Sequence, residues 1–213
     1  MLNTEQQQMI INKTRTFVKD YLSNNEINFD SKEIGHKHGE RIESSIVENF
    51  ALLNGFTEPT ASREFGDLYF THEVLEAINV KFGYQKNGHA NLCALNRLIR
   101  AVTGHNPRYP SKEHQTFDSY WILSINLLDE NGNFEVHLFD VYQNLDVVSY
   151  NAVPGQLMIK ERLLYGDDYT IVNNGGANIT ELKTKLLSMF KQGMQNKIRD
   201  LNTILENAEE LLG

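Results

Sequence analysis

The sequence predicts an α/β or α+β domain organised around one central sheet, with a long helical region towards its C-terminal end. Three observations carry this expectation. Apolar residues recur at helical spacing near both ends, strand-like runs fill the middle, and the two strongest runs flank Asn131-Gly132, a favoured hairpin turn.

Residues 4–23 predict a helix capped by Thr4, with Met9, Ile10, Phe17 and Leu22 among its apolar positions and Asn24-Asn25 ending it. A second helix starts near Gly39, carries Ile42, Ile46, Phe50 and Leu53 at helical spacing, and stops at Gly55. FGDLYF and AINVKFG then have strand character, and the linking THEVLE makes them a hairpin. After the loop YQKNGH, the apolar spacing of NLCALNRLIRAV predicts a helix closed by Gly104, followed by the loop HNPRYPSKEHQTF. SYWILSINLL and FEVHLFDVY are the strong strands, LDVVSYNAV is strand-like, and the following segment to Asn174 is less regular.

From Asn178 the chain predicts a helix with an Asn178/Glu181 N-cap pair. Leu182, Leu186, Phe190, Met194, Ile198, Leu201 and Leu205 lie along one face, and Gly193 is a candidate kink. The whole reads as a single domain over 1–213: helices in 1–55, a sheet core in 56–177, and a helical segment in 178–213 that offers a homodimer contact.

Composition narrows the classes. At 40% hydrophobic and 23% charged residues the chain is ordinary globular protein, which excludes a disordered or fibrous one. No apolar stretch approaches the roughly 20 residues of a membrane span, and MLNTEQQQMIINK has no secretory apolar core, so the expectation is a cytoplasmic protein with no membrane partner. Cys93 is the only cysteine, which rules out an internal disulfide and a cysteine zinc cluster; its place in NLCALNRLIRAV predicts a helix-face core residue. Asn174-Gly175-Gly176-Ala177 lacks the strand and spacing of a phosphate loop, so no nucleotide cofactor is expected. The net charge of −8 weighs mildly against a polyanion as main partner, although much of the acidic surplus is confined to LENAEELLG.

The chemically odd feature is the first hairpin. Asn79 and Lys81 share one strand face because side chains alternate, and a turn near Glu73 or Val74 brings Asp67 opposite one of them. A carboxylate, an amide and an ammonium then converge. Spacing alone favours a polar face that is simply solvated. Phosphodiester hydrolysis gives the cluster a purpose, since oxygen ligands hold a hard cation while a positive charge lowers the pKa of the attacking water.

Asp67 followed by Ile78-Asn79-Val80-Lys81 resembles the PD-(D/E)xK motif of type II restriction endonucleases, and Gly39-Glu40-Arg41-Ile42-Glu43 is similar to the G-x-x-x-E helix that precedes it in several of these enzymes. The resemblance covers roughly residues 31–150. It implies a restriction-endonuclease-like mixed sheet flanked by helices, catalytic Asp67, Asn79, Lys81 and Glu43, and Mg2+ held by Asp67, Asn79 and Glu43. It also implies a homodimer cutting double-stranded DNA at a short palindromic site. Gly66 stands in place of the motif's proline, and Asn79 in place of its second acid, where some members carry asparagine or glutamine. By its residues alone, Glu43 can equally be a first-turn glutamate favoured by the helix dipole.

DNA contacts are expected from Lys86, Asn87 and His89 in the loop after Lys81, from Arg108 and Tyr109, and from His38 just before the second helix. By their residues alone these segments read somewhat more readily as polar loops. Two other functions suit the same residues: a repair or recombination nuclease of this fold, and a non-catalytic DNA-binding or assembly protein in which Asn79 records a lost site.

Overall fold

The structure is a computed structural model that describes residues 2–25, 38–59, 66–73, 75–84, 89–94, 119–129, 131–142, 144, 148–151, 156–160 and 179–212. Among these residues two helices, α1 (Thr4–Asn24) and α2 (Gly39–Ala51), precede eight strands: β1 (Phe56–Thr57), β2 (Leu68–Thr71), β3 (Leu75–Tyr84), β4 (His89–Ala94), β5 (Ser119–Leu127), β6 (Phe134–Asp140), β7 (Val148–Asn151) and β8 (Gln156–Lys160). A helix of 34 residues, α3 (Ile179–Leu212), follows. The class is mixed α/β, as the sequence predicts.

Five strands form the main sheet in the order β1-β2-β3-β5-β6. All its pairs are antiparallel except the central one, where β3 runs parallel to β5 over nine residue pairs from Glu76↔Ser119 to Tyr84↔Leu127. Residues 76–80 of β3 and 120–127 of β5 are buried on both faces, as parallel strands usually are. On one face, Ile78, Val80, Trp121, Leu123, Ile125, Val136 and Leu138 pack against Ile10 and Val18 of α1 and Ile42, Ile46 and Phe50 of α2. Phe50 sits at the centre of an aromatic chain, 5.2 Å from the Phe17 ring and 4.8 Å from that of Phe56, which stacks on Phe70 at 4.4 Å. Edge and tilted contacts of this kind add to area burial in fixing the angle at which α2 crosses the sheet.

Several local expectations hold. The Asn131-Gly132 hairpin joins β5 to β6, with Gly132 at φ 81° and Asp129 accepting the backbone N–H groups of Asn131 and Asn133. Gly55, at φ 88°, turns the chain from α2 into β1. Thr71 pairs with Leu75, so the first hairpin closes between them.

Other expectations are corrected. The cap of α1 is Asn3 rather than Thr4: the Asn3 side chain accepts the Gln6 N–H at 2.9 Å while the Gln6 side chain accepts the Asn3 N–H, a complete capping box. The predicted helix from Asn91 begins instead as strand β4, which pairs antiparallel with β8, and Cys93 therefore lies on a strand; residues 95–102 fall outside the described residues. A short apolar run satisfies either period, and here main-chain pairing with β8 decides. That pairing also makes a second sheet of three strands, β4-β8-β7, where a single sheet is expected. Asn178 lies outside the described residues, and α3 runs unbroken through Gly193. Among the described residues, no helix is long and apolar enough to cross a membrane.

Candidate active site

β3 outruns its partner. β2 pairs with it only from Leu75 to Ile78, so among the described residues no strand lies beside residues 79–84 on the β2 side. Backbone N–H groups along such an edge must find other acceptors. Val80 donates to Oδ2 of Asp67 at 2.9 Å, and Phe82 donates to Oε1 of Glu43 at 2.7 Å. Two carboxylates thus cap two successive outward amides of one strand, and the strand fixes their separation.

Asp67 arrives here because it is the residue just before β2, with its own N–H donated to the Ile78 carbonyl at 3.0 Å. Gly66 makes the approach possible. A Cβ at that position would lie 3.2 Å from the Leu68 oxygen and 3.3 Å from the Ile78 oxygen, and the Gly66 N–H donates to the Tyr69 hydroxyl at 3.1 Å. Proline would lose that donor, which gives a physical reason for glycine at this position.

One step beyond the last β2–β3 pair, Leu68↔Ile78, the register sets Asp67 across from Asn79. Leu68 and Ile78 both point into the α1/α2 core, so by alternation Asp67, Asn79 and Lys81 belong to the other face. Nζ of Lys81 lies 3.8 Å from Oδ2 of Asp67, with the lysine side chain 22% and the aspartate 42% exposed. Asn79 is 4% exposed, and its Oδ1 has no hydrogen-bond partner. Glu43 reaches the group from α2 around the strand edge. Burial raises its carboxyl above the usual carboxylate range, the Lys81 ammonium and the Phe82 N–H pull it back down, and the Asp67 charge pushes it up again.

The structure therefore brings together Asp67, Lys81 and Glu43, with Asn79 beside them. Two oxygen-bearing acids, a buried amide oxygen without a partner and an ammonium form a site that can hold a hard cation and a water. The fit to Mg2+ is partial within the protein: among the described residues no group of three or more His, Cys, Asp or Glu is placed to hold a metal ion. Magnesium commonly takes one or two carboxylates and completes its shell from substrate phosphate and water, so Asp67 and the Asn79 oxygen, with Glu43, suit that mode.

Of the expected DNA contacts, His38 is at the N-terminus of α2, with no side-chain capping bond. His89 begins β4, paired with Lys160, and its side chain is outside what is described. Lys86, Asn87, Arg108 and Tyr109 lie outside the described residues.

Sequence reasoning missed a polar extension of this face. The registers Lys81↔Ser124↔His137 and Gly83↔Asn126↔Glu135 run from β3 across β5 to β6. Ser124 and Asn126 are fully buried, and His137 Nε2 lies 3.6 Å from Glu135 Oε2. Their signal was legible: polar residues two apart interrupt the apolar runs SYWILSINLL and FEVHLFD on one face of each strand.

No protein-family model matches the chain, and no curated protein matches it. The fold and site define a mixed α/β domain with an acid-amide-lysine cluster at an unpaired strand edge. Any narrower reading rests on those residues.

Proposed function

We propose that the protein is a Mg2+-dependent endonuclease of the type II restriction kind, hydrolysing phosphodiester bonds of double-stranded DNA. The observation that carries this reading is the Lys81 ammonium 3.8 Å from the Asp67 carboxylate, beside a buried Asn79 oxygen with no partner. A surface ion pair on its own would be worth little, and an unsatisfied buried amide oxygen costs stability; both make sense where a cation and a phosphate are to be bound.

Asp67, Asn79 and Glu43 would hold the ion, which supplies Lewis-acid stabilisation of charge on the phosphoryl oxygens. Lys81 orients the attacking water and favours the hydroxide as its proton leaves. Oxygen attacks phosphorus, the bond to the leaving oxygen breaks, and that oxygen departs with a proton from solvent. Val80 and Phe82 hold both carboxylates through backbone N–H groups, so the acids need not reorganise during the reaction. Acting on both strands of a two-fold symmetric site calls for two copies, and such an enzyme acts in the cytoplasm.

The test is incubation of purified protein with unmethylated phage DNA, with Mg2+ and with chelator. Discrete fragments formed only with the metal, and lost in Lys81→Ala, are the expected result. Intact DNA across a broad set of substrates would remove the assignment.

A further inference from the structure

α3 carries an apolar seam that the domain leaves open. Leu187, Met194, Leu201 and Ala208 recur every seven residues, and Ile198 and Leu205 form the interleaved second series. This is the heptad pattern of a coiled coil, in which two seven-residue series alternate along one side of a helix. Leu187, Met194, Ile198, Leu201 and Leu205 are between 38% and 57% exposed, and Ile204 beside them is 62% exposed. Large side chains in a row at this exposure mark an interaction surface.

The charges say what fits it. From Lys185 to Arg199 the helix has Lys185, Lys191, Lys197 and Arg199 and no acid; from Asp200 to Glu210 it has Asp200, Glu206, Glu209 and Glu210 and no base. The two halves meet at Arg199 and Asp200, whose side chains are 3.9 Å apart. A parallel copy would lay base against base and acid against acid. An antiparallel copy lays each half on its opposite. The acidic half also disfavours an anionic membrane surface, which attracts basic faces.

We propose that α3 is the dimer interface, pairing with α3 of a second copy in antiparallel register about a two-fold axis between Arg199 and Asp200. That axis sets Met194 opposite the partner's Leu205 and Ile198 opposite the partner's Leu201, so at the centre of the seam a residue of one heptad series meets one of the other. The same axis matches the charge halves. The seam allows several antiparallel registers one heptad step apart, and the change from base to acid between Arg199 and Asp200 selects this one among them. The pairing gives the two-copy enzyme of the proposed function a specific geometry, yet it needs only the helix and is tested without DNA.

Sedimentation of the full chain should show a dimer, and molar salt should weaken it roughly tenfold by screening the opposed halves. Ile198→Asp with Leu201→Asp should give a monomer whose circular dichroism in the sheet region is unchanged. In a Cys93→Ser background, mixing Met194→Cys protein with Leu205→Cys protein should yield the mixed disulfide on oxidation, while each variant alone should not cross-link. A monomeric wild type, cross-linking of Met194→Cys with itself, or binding of a monomer to phosphatidylserine vesicles would each overturn the proposal. Cleavage of DNA by a monomer would overturn it while leaving the nuclease reading in place.

Discussion

Glu43 and Phe82 are 39 residues apart in sequence, and the glutamate side chain accepts the backbone N–H of Phe82 at 2.7 Å. This bond ties α2 to the edge of β3 and places a part-buried carboxylate in the field of Lys81 and Asp67. The arrangement has a cost, because burial favours the protonated acid. Folding stability from this group is present at low pH and is lost as pH rises through its raised pKa.

Glu43→Gln keeps an oxygen to accept the Phe82 N–H and removes the charge. At neutral pH and without metal its Tm should exceed that of the wild type, and the difference should shrink below the carboxylate range. DNA cleavage should fall at the same time. Melting curves across pH, together with a cleavage assay, check both halves; a lower Tm at neutral pH would contradict the burial argument.

Lys81→Ala should retain fold and DNA binding and lose cleavage by roughly a hundred- to ten-thousand-fold, since in the proposed mechanism the ammonium acts in the chemical step. Its partner Asp67 is 42% exposed, so removing the ion pair should alter stability by at most about 1 kcal/mol. Single-turnover rates at saturating protein separate the two effects.

Asn79→Asp places a second acid beside Asp67. Mg2+ affinity should rise roughly tenfold through the added charge, while the metal-free protein should lose about 1–3 kcal/mol, because position 79 is 4% exposed. Asp67→Ala should lose both metal and cleavage. In the wild type, tight metal binding should appear only with DNA, whose phosphate supplies the missing negative ligand. Calorimetric titration of the three proteins, with and without a non-cleavable duplex, reads each outcome.

Phe50→Ala removes the central ring of the aromatic chain that seats α2 on the sheet. The cost should be about 3–5 kcal/mol, as for other fully buried rings. Because α2 carries Glu43, cleavage should drop as well, at temperatures where the variant is still folded. Denaturant melts and activity measured well below the midpoint distinguish the two.

The sequence by itself determined the features that follow from local period and turn chemistry. Ile42, Ile46 and Phe50 repeat at one helical face, Asn131-Gly132 admits the backbone a tight turn requires, and the alternation of β3 alone puts Asn79 and Lys81 on one side. Tertiary structure decided what depends on pairing between distant segments. His89–Ala94 became a strand because β8 offers it hydrogen bonds, a partner that no local window contains. Asp67 and Glu43 became one site because β3 extends past β2, leaving two amides that these carboxylates accept. The polar rows through Ser124 and His137 likewise exist only once β5 and β6 lie in register beside Lys81. Periodicity says which face a side chain takes, but the neighbour it meets there is set by strand order and register, which are properties of the whole fold.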